Sequence, residues 1–182
     1  MHLGASIPER VFDKIAECRF FIARMADYER AQETEYFLYC LSAFLSAFRS
    51  TTYRLYGVTE KQKGKPAKAS LWKALHAHPQ IGFLISRSNV EIHEDGVRVW
   101  QRYNVSVGDS ISDRWPPRWV RNAERWPLPF KPRFQESVQT NVTIVDWQFE
   151  GHSSNLIELC HDAVNEMENL VKQNISTVQH KL

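Results

Sequence analysis

An arginine and a histidine lie six residues apart near the middle of the chain, in the segment that runs from Arg87 through Ser88 and Asn89 to His93. Histidine exchanges a proton near neutral pH, and arginine can hold a phosphate and the charge that develops on it. These two side chains suit cleavage of RNA without a metal, because histidine can move the proton of the 2′-hydroxyl. Asn89 is a third candidate catalytic residue, since on a helix it shares a face with His93.

The same spacing leaves a structural interpretation open. Positions six apart do not share a face of an ideal helix, so Arg87 and His93 converge only if the helix ends between them or the arginine bends round. At a helix end, the two side chains would equally serve as partners of carbonyl groups or of Glu91 and Glu94. A catalytic and a structural role therefore both remain.

This segment resembles the motif of the HEPN superfamily, with an arginine at Arg87, a polar residue at Ser88 and a histidine at His93. As in that superfamily, two long predicted helices precede it. The resemblance covers roughly residues 8–94 and the final helix. In that superfamily the polar residue is often asparagine, which here comes one position later, at Asn89. The resemblance implies a helical bundle and a metal-independent endoribonuclease of a toxin, stress or defence system, with an active site shared across a homodimer.

Two further classes of protein fit the sequence. One is a catalytically inactive HEPN-like module that binds RNA, a nucleotide or a protein partner. The other is an unrelated helical interaction protein without an active site.

A second basic segment interleaves arginines with tryptophans. Phosphate neutralisation together with stacking on aromatic rings is a common way of holding single-stranded nucleic acid, so this segment is a candidate RNA-binding loop. The alternative is that the tryptophans pin a proline-rich loop to the bundle while the arginines stack on them or face water. The candidate RNA-binding residues are Arg114, Arg118, Arg121 and Arg125.

The sequence predicts no metal and no cofactor. It has no phosphate-binding glycine loop and no recognisable metal cluster or nucleophilic triad. Its cysteines, at positions 18, 40 and 160, are interpreted as buried reduced thiols. His76 and His78 are two residues apart and point in different directions on a helix, so they are expected at the surface.

Hydrophobic periodicity predicts a mainly α-helical single domain over residues 1–182, a bundle of about four core helices. The first helix is expected to begin near Ser6, which has the capping-box spacing to Glu9. The second is expected over residues 33–56, with Gly57 as its stop and a flexible basic loop over residues 58–69. Within the second helix, Arg49 must either find an acidic partner or reach a polar cleft, and a core salt bridge is the expected outcome. The last helix is expected to start between residues 153 and 155, with a cap-like spacing from Asn155 to Glu158.

An insertion over residues 97–150 is expected before the last helix. Residues 97–107 and 142–149 alternate apolar and polar side chains, which predicts a small antiparallel strand pair. The intervening residues 108–140 are rich in proline and tryptophan, and are expected to form a long ordered loop.

Composition gives a broad class only. The 182 residues include 43% hydrophobic and 24% charged residues with a net charge of +2, which is typical of a globular domain and gives no global signal for nucleic acid or membrane. The first residues lack the pattern of a secretory signal, and no stretch is apolar enough to span a membrane. A cytoplasmic location without a membrane partner is therefore expected.

Overall fold

The structure is a computed structural model that describes residues 7–93, 98–107, 120–121 and 140–179. The described residues form four helices and a small sheet. The helices are α1 (Ile7–Ala31), α2 (Thr34–Ala77), α3 (Pro79–His93) and α4 (Leu156–Gln179), and the strands are β1 (Val99–Val107), β2 (Val120–Arg121) and β3 (Thr140–Phe149). The predicted mainly helical bundle with a strand pair inserted before the last helix is confirmed.

One hydrophobic core is shared by the four helices. α1 packs against α2 and α4, and α3 packs against both α2 and α4. α1 buries an apolar stripe of Val11, Ile15, Cys18, Ile22 and Met25, and α4 buries a similar stripe that includes Leu156, Cys160 and Met167. Cys18 and Cys160 are buried within these stripes as free thiols, as predicted, and Cys40 is half-buried.

The sheet is joined to the bundle by stacked aromatic side chains. β1 pairs antiparallel with β3 over the length of both strands, with a bulge between Arg102 and Tyr103, and the short β2 pairs with the other edge of β1. Trp147 of β3 stacks on Phe37 of α2 with ring centroids 4.2 Å apart, and Phe149 meets Phe83 of α3 edge to face. The predicted strand pair is thereby confirmed, and one face of it completes the core.

Helix α2 reverses direction at Gly64. Its φ of 83° and ψ of 174° are not helical. Tyr56 and Trp72 would lie about 24 Å apart along a continuous helix, yet their ring centroids are 4.9 Å apart. Glu60 and Lys68 likewise form an ion pair of 2.5 Å across the turn. The segments before and after Gly64 therefore fold back on each other, and we call residues 53–77 the helical hairpin.

The predicted stop at Gly57 and the predicted loop over residues 58–69 are wrong. The helix continues through Gly57, because Val58 and Thr59 still bury their side chains in the core. The lysines that suggested a loop instead lie on helix surfaces that face solvent. Pro66 is tolerated because it falls in the first turn after the reversal, where its missing N–H has no intrahelical partner to lose.

The turns at two helix ends are held by side chains. Asn155 caps α4 as predicted, since its Oδ1 accepts hydrogen bonds from the N–H groups of Ile157 and Glu158 at 2.8 and 3.1 Å. Gln32 ends α1 with a φ of 61° and reaches β3. Its amide nitrogen donates to the carbonyl of Ile144 at 2.9 Å, and its amide oxygen accepts from the N–H of Ile144.

A close backbone approach fixes the corner between α2 and α3, and it supports a first prediction. A Cβ added at Gly82 would lie 2.4 Å from the carbonyl oxygen of His76, which is too close for any carbon atom. Gly82→Ala is expected to lower the free energy of unfolding by about 1–2 kcal/mol, because the backbone of the corner must shift. Urea denaturation measures this loss.

Gly57→Ala is the matched control for that substitution. Its added Cβ meets nothing within 4 Å in a helical environment, so the variant is expected to match or slightly exceed the parent in stability. Equal stability of the two alanine variants would contradict the close approach at Gly82.

Several predictions fall on residues that the structure does not describe. The expected capping box at Ser6 and most of the loop over residues 108–140 lie outside the described ranges. No helix within those ranges is both long and apolar enough to cross a membrane.

Candidate nucleic-acid interface

Arg87 is held by the corner between β3 and α4. Its Nη2 donates to the carbonyl of Glu150 at 2.7 Å, and its guanidinium lies 4.9 Å from the ring centroid of Phe83. Its Nε is buried and has no hydrogen-bond partner among the described residues. A half-buried arginine with a carbonyl on one side and a phenylalanine ring on the other stabilises the junction of helix and sheet. These contacts fit the structural role.

The other residues of the predicted catalytic segment do not join Arg87 in a described cluster. Ser88 is fully buried, and its Oγ donates to the carbonyl of Ile85 at 2.8 Å. Asn89 is exposed on α3. His93 is the last residue of α3, and its side chain lies outside the described residues. Only Arg87 and Ser88 can therefore be placed by their contacts.

The predicted RNA-binding arginines cannot be placed in the same way. Arg114, Arg118 and Arg125 lie outside the described residues. Arg121 belongs to β2, which pairs it with Trp100, but its side chain is not described. Their role stays a prediction.

A strong charge imbalance coincides with α2 and α3. Residues 36–90 carry eight Lys or Arg residues and a single acidic residue, Glu60, although the whole chain has 23 basic and 21 acidic residues. Because that acidic side chain is paired with Lys68, residues 36–90 present a surface whose charges are mainly positive. A cationic surface of this kind attracts polyanions such as nucleic acids. The sequence analysis recognised the lysines of residues 58–69 as a basic segment but placed them in a loop, and the overall net charge of +2 conceals the wider imbalance.

The cationic surroundings of Glu60 affect its pKa. Its pKa is lowered mainly by the hydrogen bond from Lys68, and also by the charges of Lys68 and Lys65. The exposed lysines of the hairpin, at positions 61, 65 and 73, have no carboxylate other than Glu60 within residues 36–90.

Four aromatic side chains of the helical hairpin form a continuous series of ring contacts, which we call the aromatic ladder. Tyr53 meets Tyr56 edge to face at 6.3 Å, Tyr56 meets Trp72 at 4.9 Å, and Trp72 stacks with His76 at 4.1 Å. Tyr53 is 52% exposed and Trp72 is 42% exposed, whereas Tyr56 between them is buried. The ladder exists only because α2 reverses at Gly64, so sequence spacing alone did not reveal it.

Arg49 extends the ladder at one end. Its guanidinium lies 5.4 Å from the ring centroid of Tyr53. The predicted core salt bridge of Arg49 is not found among the described side chains, where its neighbour is an aromatic ring. A half-buried arginine on a half-exposed tyrosine remains able to attract an anion from solvent.

The hydroxyl of Tyr56 is unusual among the groups of the ladder. It is buried and has no hydrogen-bond partner in the described part of the chain. Burial, with a smaller effect of Tyr53, raises the pKa of Tyr56 to about 12, so the group keeps its proton and remains a donor at neutral pH. An unsatisfied buried donor costs free energy that a ligand oxygen could recover.

A second polar cluster lies where α1 meets the sheet. Burial, and then the charge of Asp146, raise the pKa of Glu29 to about 7. Arg102 donates to Oδ2 of Asp146, while Oδ1 of Asp146 and Oε1 of Glu29 are buried without a hydrogen-bond partner among the described residues. The described ranges contain no group of three or more His, Cys, Asp or Glu residues that could hold a metal ion. The raised pKa of Glu29 makes the contribution of this cluster to stability depend on pH.

Comparison with protein-family models, with curated proteins and with solved structures finds no match to this chain. The geometry of its own residues is therefore the basis of the functional proposal.

Proposed function

We propose that this protein is an RNA-binding module of HEPN-like helical architecture, in which Arg87 has a structural role and no catalytic one. The observation that carries the proposal is the cationic surface of residues 36–90. This segment contains eight basic residues and one acidic residue, Glu60, which is paired with Lys68. Phosphate neutralisation by such a surface supplies most of the affinity for nucleic acid. The exposed rings of the aromatic ladder lie on the same helices.

The contacts of Arg87 favour binding over catalysis. An arginine that stabilises a phosphoryl transition state must present its N–H groups to the ligand. Arg87 instead donates to the carbonyl of Glu150 and covers Phe83, while Ser88 beside it is fully buried. The metal-independent ribonuclease that the HEPN resemblance implies, built from Arg87 and His93 across a homodimer, is the competing proposal.

Salt-dependent binding tests the proposed function. Anisotropy of a labelled single-stranded RNA is measured over a range of salt concentrations for the parent and for a triple variant, Lys61→Gln, Lys65→Gln and Lys73→Gln. Each lysine that neutralises a phosphate contributes about 0.7 to the slope of log affinity against log salt, so the triple variant is expected to flatten the slope by about 2. Its affinity at low salt is expected to fall at least tenfold.

A control of equal charge separates a local site from the overall charge. Arg24, Arg30 and Lys172 are exposed cations on α1 and α4, and replacing all three with glutamine removes the same charge. These residues form surface ion pairs, which contribute little to stability. The control variant is expected to bind RNA nearly as the parent does. Equal losses in both triple variants, or no binding by the parent, would refute the proposed site.

The competing proposal has its own readout. Incubation of RNA with the purified protein is expected to leave the RNA intact, and His93→Ala is expected to change nothing. Cleavage that disappears in His93→Ala would establish the ribonuclease, and sedimentation of the parent would then test the homodimer that the HEPN resemblance implies.

A further inference from the structure

We infer that the aromatic ladder binds nucleic acid as a single strand, with bases stacked on its two exposed ends and the Tyr56 hydroxyl donating a hydrogen bond to the sugar–phosphate backbone between them. The inference rests on the proposed function and names the ligand form and the residues that select it. Tyr53 is one exposed end, and the contacting pair of Trp72 and His76 is the other.

The exposure of the two ends is the first argument. Trp72 and Tyr53 leave about half of their surface in water, although burying an aromatic ring is strongly favourable. Both rings contact Tyr56, whose centroid is 6.3 Å from one and 4.9 Å from the other, so both ends are within reach of one short segment of a strand. Stacking of bases on exposed rings is the usual way of binding single strands without sequence preference.

The cations beside these rings are the second argument. Arg49 lies over Tyr53, and the exposed Lys73 follows Trp72 directly in the chain. The lysines at the tip of the hairpin lie within about 12 Å of Tyr56 along the helix. A strand whose bases rest on the ladder therefore has cations at both ends for its phosphates, and the surrounding charge complements the ligand.

The hydroxyl of Tyr56 is the third and independent argument. Tyr56 is only 3% exposed, and its hydroxyl has no acceptor within the described ranges. An unsatisfied buried hydroxyl destabilises a protein, so phenylalanine at position 56 would give a more stable fold than tyrosine. The hydroxyl is therefore better explained by a ligand than by the fold. In the inferred complex, a phosphate or sugar oxygen of the bound strand is the acceptor for this hydroxyl.

A duplex does not fit the same surface. Within a duplex, each base is covered on both faces by its neighbours, so the rings of the ladder can meet no base face except at an end. Charge alone would still attract a duplex, but without the contribution of stacking. The ladder therefore predicts preference for a single strand over a duplex of the same sequence.

Substitutions that leave the charge unchanged test the inference. At constant salt, Tyr53→Leu and Trp72→Leu are each expected to weaken binding of single-stranded RNA about 10-fold, and Tyr56→Phe about 5-fold. The salt slope is expected to stay as in the parent, because none of the three substitutions removes a positive charge. Tyr39→Leu is the matched control, since Tyr39 is another exposed tyrosine of α2 outside the ladder.

The outcomes separate this inference from the proposed function. If the lysine triple variant loses RNA while Tyr53→Leu, Trp72→Leu and Tyr56→Phe all bind as Tyr39→Leu does, the ladder inference is overturned and the proposed function stands. Equal affinity of the parent for single strand and duplex would also overturn it. Thermal unfolding checks that each variant is folded. If Trp72→Leu fails to fold, the binding of RNA by Tyr53→Leu still tests the inference, since Tyr53 is the more exposed ring.

Discussion

Replacing Gly64 with alanine is expected to lower the free energy of unfolding by about 3 kcal/mol. With φ at 83° and ψ at 174°, Gly64 occupies a backbone region that only glycine adopts readily. A Cβ there would make only an ordinary contact of 3.7 Å with Pro66, so the cost comes from the backbone and not from crowding. Urea denaturation followed by circular dichroism measures it.

The same substitution is expected to weaken RNA binding, because the reversal at Gly64 brings Trp72 to Tyr56. Gly57→Ala provides the control, since it adds the same methyl group to a helical position of α2 with open space around it. A Gly64→Ala variant as stable as Gly57→Ala would show that α2 does not depend on this turn.

The stability of the protein is expected to fall as the pH rises from about 4.5 to about 7, through the titration of Glu29. Its folded-state pKa is about 7, above the usual 4.5, because burial and the charge of Asp146 disfavour the ionised form. The folded state therefore holds a proton that the unfolded state releases, and this contribution to stability is complete below about pH 4.5 and lost above about pH 7. Glu29→Gln is expected to raise the free energy of unfolding at pH 8 by about 1–2 kcal/mol, after allowance for partial exposure to solvent.

The stability gained by Glu29→Gln is expected to depend on pH, which distinguishes it from an effect of the substitution that is unrelated to ionisation. At pH 4.5 the parent carries a neutral Glu29 already, so parent and variant are expected to have similar stability. Glu33→Gln, which changes an exposed glutamate without a capping hydrogen bond, is expected to change stability little at either pH. A gain of the same size at both pH values, or a loss at pH 8, would contradict the raised pKa.

The secondary structure was largely predictable where one local pattern decides it. The period-two alternation of residues 97–107 and 142–149 predicted β1 and β3, and the spacing after Asn155 predicted the cap of α4. Gly57 misled because a glycine is compatible with a helix interior as well as with a helix end. Burial of Val58 and Thr59 decided between these outcomes, and that burial depends on the rest of the bundle.

The candidate site was less predictable because it depends on contacts between distant residues. Arg87 was singled out by its spacing to His93, but its partner is the carbonyl of Glu150, 63 residues further along the chain. The contact between Tyr56 and Trp72, 16 residues apart in the sequence, requires the reversal at Gly64, which sequence spacing alone does not reveal. Residue types could thus identify candidates for chemistry, whereas the fold decides which of them meet.

The amide of Gln32 has a consequence for how this protein avoids unwanted association. An edge strand exposes N–H and C=O groups that can recruit a strand from another molecule, which leads to aggregation. At Ile144 the side chain of Gln32 satisfies both groups, as one residue of an additional strand would. Gln32, in the turn between α1 and α2, thus blocks the pairing of another strand with the outer edge of β3 at this position.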